Sequence, residues 1–362
     1  MSAPTTSAVA SAVAGVVKRR GRAITLTVVA LVVLLFATLV ISASVGQFPI
    51  APSEIVASIG RRLGFAAPSD TARFADGALW NVRFPRIILG VIVGAALGVA
   101  GTIMQGMFGN PLAEPGVIGV SAGCAVGACA AIVFHIDWLG GATVPVAAFA
   151  FGLVTTFLVY FLSRSTGRTQ VLTLVLTGIA VNAVANALIA LFVFLADTTS
   201  REQIVFWQLG SLNGASWFAV AATAPFLIVG VIGAALSARK LDLLALGERQ
   251  ARHLGVNVER LRIVTILCVA VLTAAAVAYA GIIAFVGLII PHLLRLLVGP
   301  SHRALIPASA LGGALLISLS DVLARTLVPF ADLPIGMLTA LVGGPAFFIL
   351  MRRSLRAGSV LS

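Results

Sequence analysis

Apolar residues in this chain come in long unbroken runs separated by short polar punctuation. About 20 consecutive apolar residues let one helix cross a hydrocarbon layer about 30 Å thick. Ten such runs are legible, at 23–45, 84–104, 117–134, 144–162, 171–195, 217–236, 263–280, 282–298, 304–328 and 333–351. The seventh and eighth meet so tightly around Gly281 that nine or ten spans both fit. A transmembrane β-barrel would alternate polar and apolar residues in segments of about ten, and this chain does not. The pattern predicts an all-α polytopic membrane protein with about ten transmembrane helices in a compact bundle. Stretches such as "GVIVGAALGVAG" at 90–101 strengthen the picture, because small residues let helices approach closely in lipid.

The ends divide off by composition. Residues 1–22, uncharged until "KRRGR" at 18–22, read as a flexible basic tail. Residues 23–351 read as one permeating domain and 352–362 as a second tail. The run at 23–45 exceeds the 7–15 apolar residues of a cleaved signal peptide, so it reads as a retained span. Ten spans leave both termini on one side. Seventeen basic residues then fall on that side and seven on the other, and the excess marks the cytoplasm.

Composition agrees: 60% of residues are hydrophobic and 10% charged, whereas soluble domains carry about a quarter charged. The net charge of +12 resides at the ends of apolar runs. That is where topology signals belong, not a nucleic-acid face. Cys124, Cys129 and Cys268 lie inside apolar runs and read as small packing residues, with no metal site expected.

One segment departs from the pattern. Residues 238–262 hold nine of the chain's 36 charged residues, in "LDLLALGERQARHLGVNVERLR" and the three residues before it. Leu243, Leu244, Leu246, Ala251 and Leu254 are interleaved with the charges at helical spacing. Gly247 and Gly255 punctuate the segment into two short helices, about 241–256. Amphipathic helices projecting from a bundle form a natural docking surface for a soluble partner; a merely solvated loop would not need the leucines.

What drives the protein is constrained by absences in the sequence. A phosphate-cradling loop needs G-x-x-x-x-G-K-[ST], and the two lysines, Lys18 and Lys240, both lack that context. No H-E-x-x-H is present. Asp321 is the clearest carboxylate within a span, four residues before Arg325, and the two read as a structural pair on one helix face. A proton-coupled carrier, the rival class, would rest on that single group. His292 follows Pro291, which kinks or starts a short helix. His135, near an outer span end, reads as a surface or packing residue, although a histidine can ligate haem iron.

Five stretches now carry a resemblance. "VRFPR" at 82–86, "FGNPLAEPGVIGVSAG" at 108–123, "LALGERQARHLGV" at 244–256, "IAFVGLIIPHLLRLLVG" and "ADLPIGMLTALVGGPAFFILMRR" occur in the order seen in the FecCD family. The chain resembles the permease subunit of a type II ABC importer for haem, ferric siderophores or vitamin B12. The resemblance implies a homodimer in a bacterial cytoplasmic membrane, two separate ATPase subunits that carry ATP and Mg, and an extracytoplasmic binding protein. It implies no catalysis and no cofactor in this chain. Leu244, Leu246, Gly247, Glu248, Arg249, Ala251, Arg252, Leu254 and Gly255 match the ATPase-coupling segment. Arg83, Arg86 and Arg325 match arginines that receive acidic residues of the binding protein. Asn110 and Leu112 match one half of a cytoplasmic gate. Val171 and Leu172 occupy the other half, where the family pattern has small polar residues. "IVFWQLGSLNGASW" at 204–217 is most similar to the haem-permease branch, ahead of ferric siderophores and vitamin B12.

Overall fold

Each of the ten apolar runs lies on a helix in the computed structural model of the chain, which describes residues 6–65, 72–165, 168–328 and 330–358. The helices are α1 (Thr6–Ser44), α2 (Pro52–Arg62), α3 (Arg73–Ala78), α4 (Phe84–Phe108), α5 (Val120–Val133), α6 (Thr143–Leu162) and α7 (Val171–Leu195). They continue with α8 (Thr198–Leu209), α9 (Trp217–Leu244), α10 (Glu248–His253), α11 (Val258–Ala280), α12 (Val286–Val298), α13 (His302–Thr326) and α14 (Ile335–Gly358). A two-residue hairpin, Arg164–Ser165 against Arg168–Thr169, joins α6 to α7. Among the described residues, seven helical segments are long and apolar enough to cross a membrane, and α5, α12 and part of α14 are shorter apolar helices.

The core is built on α4 and α11. Almost every residue of α4 from Leu89 to Met107 is buried, and α11 is buried along most of its length. Around α4 pack α13, α11, α9 and α12, while α5 packs on α6 and α7. Close approach depends on missing side chains. A Cβ on Gly94 would strike the backbone of Gly313, and one on Gly98 the backbone of Ser309. Lipid gives no hydrophobic drive between helices, so this backbone-to-backbone contact supplies the packing energy.

Three boundaries differ from the sequence reading. The helix that begins α1 starts at Thr6, within the expected flexible tail 1–22, because after Pro4 no proline interrupts the run. At the other end α14 continues to Gly358, past the expected boundary at 351. The third difference falls in the charged island, where α9 runs on to Leu244 instead of stopping at 236. After Pro225 nothing in α9 breaks a helix, and burying Leu241 and Leu244 rewards continuation. The island therefore holds one short helix, α10, between the ends of two long ones. Pro291 neither starts nor ends a helix: it lies inside α12, which begins five residues earlier at Val286.

Candidate functional site

The island builds its surface from two left-handed glycines. Gly247 (φ +110°) and Gly255 (φ +84°) turn the chain out of α9 and toward α11, conformations that glycine adopts without strain. Between them α10 turns Ala251 inward, fully buried, beside Leu241, Leu244 and Val256. Leu246 and Leu254 point the other way and are 60% and 58% exposed. Glu248 holds Arg252 at 3.2 Å and also pairs with Arg262 on α11, which fixes α10 to the next helix. Asn257 caps α11 by accepting from the Arg260 amide at 2.9 Å, one of the orphan donors at a helix start. Arg249 and Arg252 are exposed. The result is a compact knob, tied to α11 by an ion pair, with two exposed leucines set beside Arg249 and Arg252. Of the nine positions that the resemblance matches to a coupling segment, Leu244 and Ala251 are buried beneath the knob.

At the opposite end of α4 the three arginines do meet, but not as rim charges. Arg86 Nε donates to Asp321 Oδ1 at 2.8 Å and Nη1 to Asp332 Oδ2 at 2.7 Å. Arg325 Nε donates to Asp321 Oδ2 at 3.1 Å, the pair expected from their four-residue spacing. Its remaining nitrogens reach Ser42 Oγ at 2.7 Å, Ser42 O at 3.1 Å and Val45 O at 3.2 Å. Arg83 donates to Ala43 O and Phe48 O. Arg83 and Arg86 are each only 7% exposed. Two causes turn them inward. The last carbonyls of a helix lack intrahelical partners and carry partial negative charge, and α1 ends at Ser44 beside Arg83 and Arg325. Desolvated charge is costly unless paired, and Asp321 and Asp332 supply the pairing for Arg86, while Arg83 is held by the carbonyls of Ala43 and Phe48. The three arginines that the resemblance matches to docking residues thus also cap α1 and tie α4 to α13 within this chain. Sequence spacing found Asp321 with Arg325; nothing local announced Asp332, which lies 246 residues from Arg86.

The segment between α4 and α5 lies at the island end of α4. Asn110 Oδ1 accepts from the Leu112 amide at 2.9 Å, closing a local turn after left-handed Gly109. Asn110 is exposed, Leu112 is 38% exposed and Leu172, in the first turn of α7, is 69% exposed. Val171 is half-buried. Further on, Asn182 of α7 donates to Gly116 O at 3.2 Å. Glu114 accepts from the Phe285 amide at the start of α12; burial pushes its carboxyl above the usual range, and the amide pulls it part of the way back.

A cavity of about 1050 Å³ opens at the arginine end, between α5, α6, α8, α9 and α11. Trp207, Tyr279, Phe218, Gln203 and His135 are among its walls. His135 is 71% exposed with Nε2 3.4 Å from Asp197 Oδ2, so it stands at the rim. The helix α8, which supplies Gln203 and Trp207, escaped the sequence reading because "TTSREQIVFWQL" is not apolar. Its signal was the cap: Asp197 Oδ1 accepts from the Ser200 amide at 2.8 Å, and this bond holds the Asp197 carboxyl below the usual range.

The chain matches the model of the FecCD transport family over residues 33–353. It is 42% identical to the hemin transport system permease protein HmuU of Yersinia pestis, over 78% of this chain and 87% of the relative. It is 39% identical to the cobalamin import system permease protein BtuC of Halobacterium salinarum, over 90% of this chain and 95% of the relative. A solved structure described as an inward-facing conformation of a metal-chelate type ABC transporter superposes with a TM-score of 0.79 at 35% identity, covering 90% of this chain and 98% of that one.

Proposed function

The chain belongs to the FecCD transport family, and from that premise we propose that it forms the haem path of an ATP-driven importer. It is the permease subunit of a type II ABC importer, a transport component whose ATPase is a separate subunit. In our reading two copies pair in a bacterial cytoplasmic membrane with both termini inside. Two ATPases seat on the α10 knobs, and an extracytoplasmic binding protein docks at the arginine end. The carrying observation is the knob itself: Leu246 and Leu254 stand exposed beside a short helix tied to α11, in a chain whose sequence shows no G-x-x-x-x-G-K-[ST] loop. Exposed leucines on a fixed short helix suit a groove in a partner.

For the ligand, the 42% identity to a hemin permease and the 204–217 text favour haem. The 39% identity to a cobalamin permease keeps vitamin B12 as the competing cargo, with ferric siderophores a third. Both gate pairs, Asn110 with Leu112 and Val171 with Leu172, belong to the half of the path nearer the knob in this reading. The docking role passes to the arginine cluster as a whole: an incoming carboxylate reaches Arg86 by displacing Asp332, whose side chain is 29% exposed. Uptake of hemin and of cyanocobalamin into proteoliposomes holding permease, ATPase and binding protein tests the assignment. Hemin uptake that requires ATP and survives collapse of the proton gradient is the expected result. Uptake of cyanocobalamin alone would reassign the cargo, and uptake that follows the proton gradient would reassign the class.

A further inference from the structure

Asp242 belongs to the charged island, near the end of α9, yet its partners lie on α13. Asp242 Oδ1 accepts from the His302 backbone amide at 2.8 Å and from His302 Nδ1 at 2.7 Å. Asp242 Oδ2 accepts from Ser301 Oγ at 3.2 Å. The carboxylate therefore caps the start of α13 from another helix, where unpaired amides and positive partial charge favour an anion. Ser301, the residue at the cap position, makes no side-chain cap bond within its own helix. His302 is 1% exposed, and its ring fills the space left by Gly106, where a Cβ would overlap it.

From that contact α13 runs antiparallel to α4 in a single register. His302 lies beside Gly106, Ser309 beside Gly98, Gly313 beside Gly94 and Asp321 beside Arg86. The helix of 25 residues is about 37 Å long at 1.5 Å per residue. Its backbone approaches that of α4 closely at two places, Gly94 with Gly313 and Gly98 with Ser309, so the two helices cannot slide independently without breaking that fit. One end of this strut is held by the island and the other by the arginine cluster.

We infer that Asp242 and His302 are the positioning residues that join the α10 knob to the α4–α13 strut, so that a movement imposed on the knob reaches the arginine cluster at the far end. The inference rests on the reading of α10 as the ATPase seat. Asp242 lies six residues before the first residue of α10, on a helix end that α10 packs against. The covalent path from knob to α13, by contrast, passes through all of α11 and α12. The Asp242 link short-circuits it. Rigid-body movement of packed helices is the form such coupling takes, and a discrete element biased from both ends is its physical requirement.

The test uses the permease with its ATPase and binding protein in proteoliposomes. A bimane label on Thr326→Cys, at the exposed end of α13, reports ATP-dependent change there, with the unsubstituted chain as control for the native cysteines. Asp242→Ala is expected to cut that change and the binding-protein stimulation of ATP hydrolysis by at least about five-fold, the low end of ordinary coupling factors. The ATPase should still co-purify in full. Asp242→Asn, which keeps an oxygen for both His302 donors and an amide for Ser301, should retain most of the response. His302→Ala and His302→Asn give the same contrast from the α13 side, and decide the matter should Asp242→Ala fail to fold. Unchanged response in both alanine variants overturns the inference. So does equal loss in the alanine and asparagine variants, which marks a merely structural role. If the unsubstituted permease fails to hold the ATPase, the docking reading falls first and the inference with it.

Discussion

Arg86 Nε lies 2.8 Å from Asp321 Oδ1, across 235 residues of chain, in a site where both side chains are buried. Removing one partner of a buried pair leaves an uncompensated charge and costs about 3–5 kcal/mol. Asp321→Ala leaves Arg86 with Asp332 alone and Arg325 with only the oxygens of Ser42 and Val45, and should lower the thermal unfolding midpoint of the purified permease. Asp321→Leu combined with Arg86→Met should recover part of the loss, because apolar replacement of both partners removes the desolvation penalty. Asp321→Asn should leave ATP-driven uptake insensitive to collapse of the proton gradient. Loss of a proton-driven uptake on this change would restore the carrier reading.

The knob separates surface from support. Leu246→Asp and Leu254→Asp place charge on exposed positions, so the permease should fold while ATPase co-purification drops by at least about ten-fold, equivalent to 1.4 kcal/mol. Ala251→Asp buries an unpaired charge beneath α10 and should destabilise the permease itself. Full ATPase recovery with both leucine variants would show the knob to be only a solvated turn.

Asp332 competes for Arg86. If an acidic partner docks at this end, Asp332→Asn should free a guanidinium arm and tighten binding of the delivery protein, most visibly at low salt. Titration of the binding protein against immobilised permease at two salt concentrations measures it. Weaker binding would mean that Asp332 orients the cluster and that Arg86 is not the group that receives the partner.

Gly313→Ala is a small change with a large lever. A Cβ there would strike the backbone of Gly94, so α4 and α13 must part. Overpacking of this kind typically costs about 1–3 kcal/mol. Gly344→Ala on α14, where a Cβ meets nothing within 4 Å, is the matched control. Heat-induced loss of the monodisperse peak in detergent should separate the two.

Glu114 gives stability an unusual pH slope. Burial holds its carboxyl above its unfolded value of 4.5, so the folded state binds the proton more tightly than the unfolded state does. Its contribution is complete below the unfolded pKa and is lost as pH rises through the folded pKa. Glu114→Gln keeps an acceptor for the Phe285 amide without the charge. Relative to that variant, the native permease should lose stability as pH rises from below 4.5 into the weakly acidic range. Parallel pH profiles for the two would show that Glu114 titrates normally.

Long-range pairing explains which parts of this fold could be read in advance. Among the described residues, the ten apolar runs fall on seven helices long enough to span and three shorter apolar ones, because a helix satisfies its own backbone and needs no knowledge of its neighbours. The i,i+4 pair Asp321–Arg325 was visible for the same local reason. What α1 ends against was not visible, and so the buried settings of Arg83 and Arg86 were missed. The link from Asp242 to His302 spans 60 residues and leaves no periodic trace. Local rules did hold a clue to α8, in the Asp197 cap, but its mixed composition hid it from a search for apolar runs. In the island, Gly247 and Gly255 mark turns that local sequence signals announce, whereas the continuation of α9 past Leu241 depends on burial of Leu241 and Leu244, which has no local signature.

The register of α4 against α13 also sets a schedule. A ribosome adding about 5–20 residues per second needs roughly 10–50 s to make the chain between Arg86 and Asp321. Throughout that interval α4 is in place without the backbone surface that its glycines are shaped to meet, and Arg86 has no carboxylate on α13 to hold. The long side chain can shelter meanwhile by reaching toward lipid headgroups. A chain that terminates before Asp321 never leaves this condition. The nascent protein thus carries a built-in mark of incompleteness near its first core helix, erased only when Asp321 of α13, nearly nine-tenths of the way along the sequence, arrives to complete it.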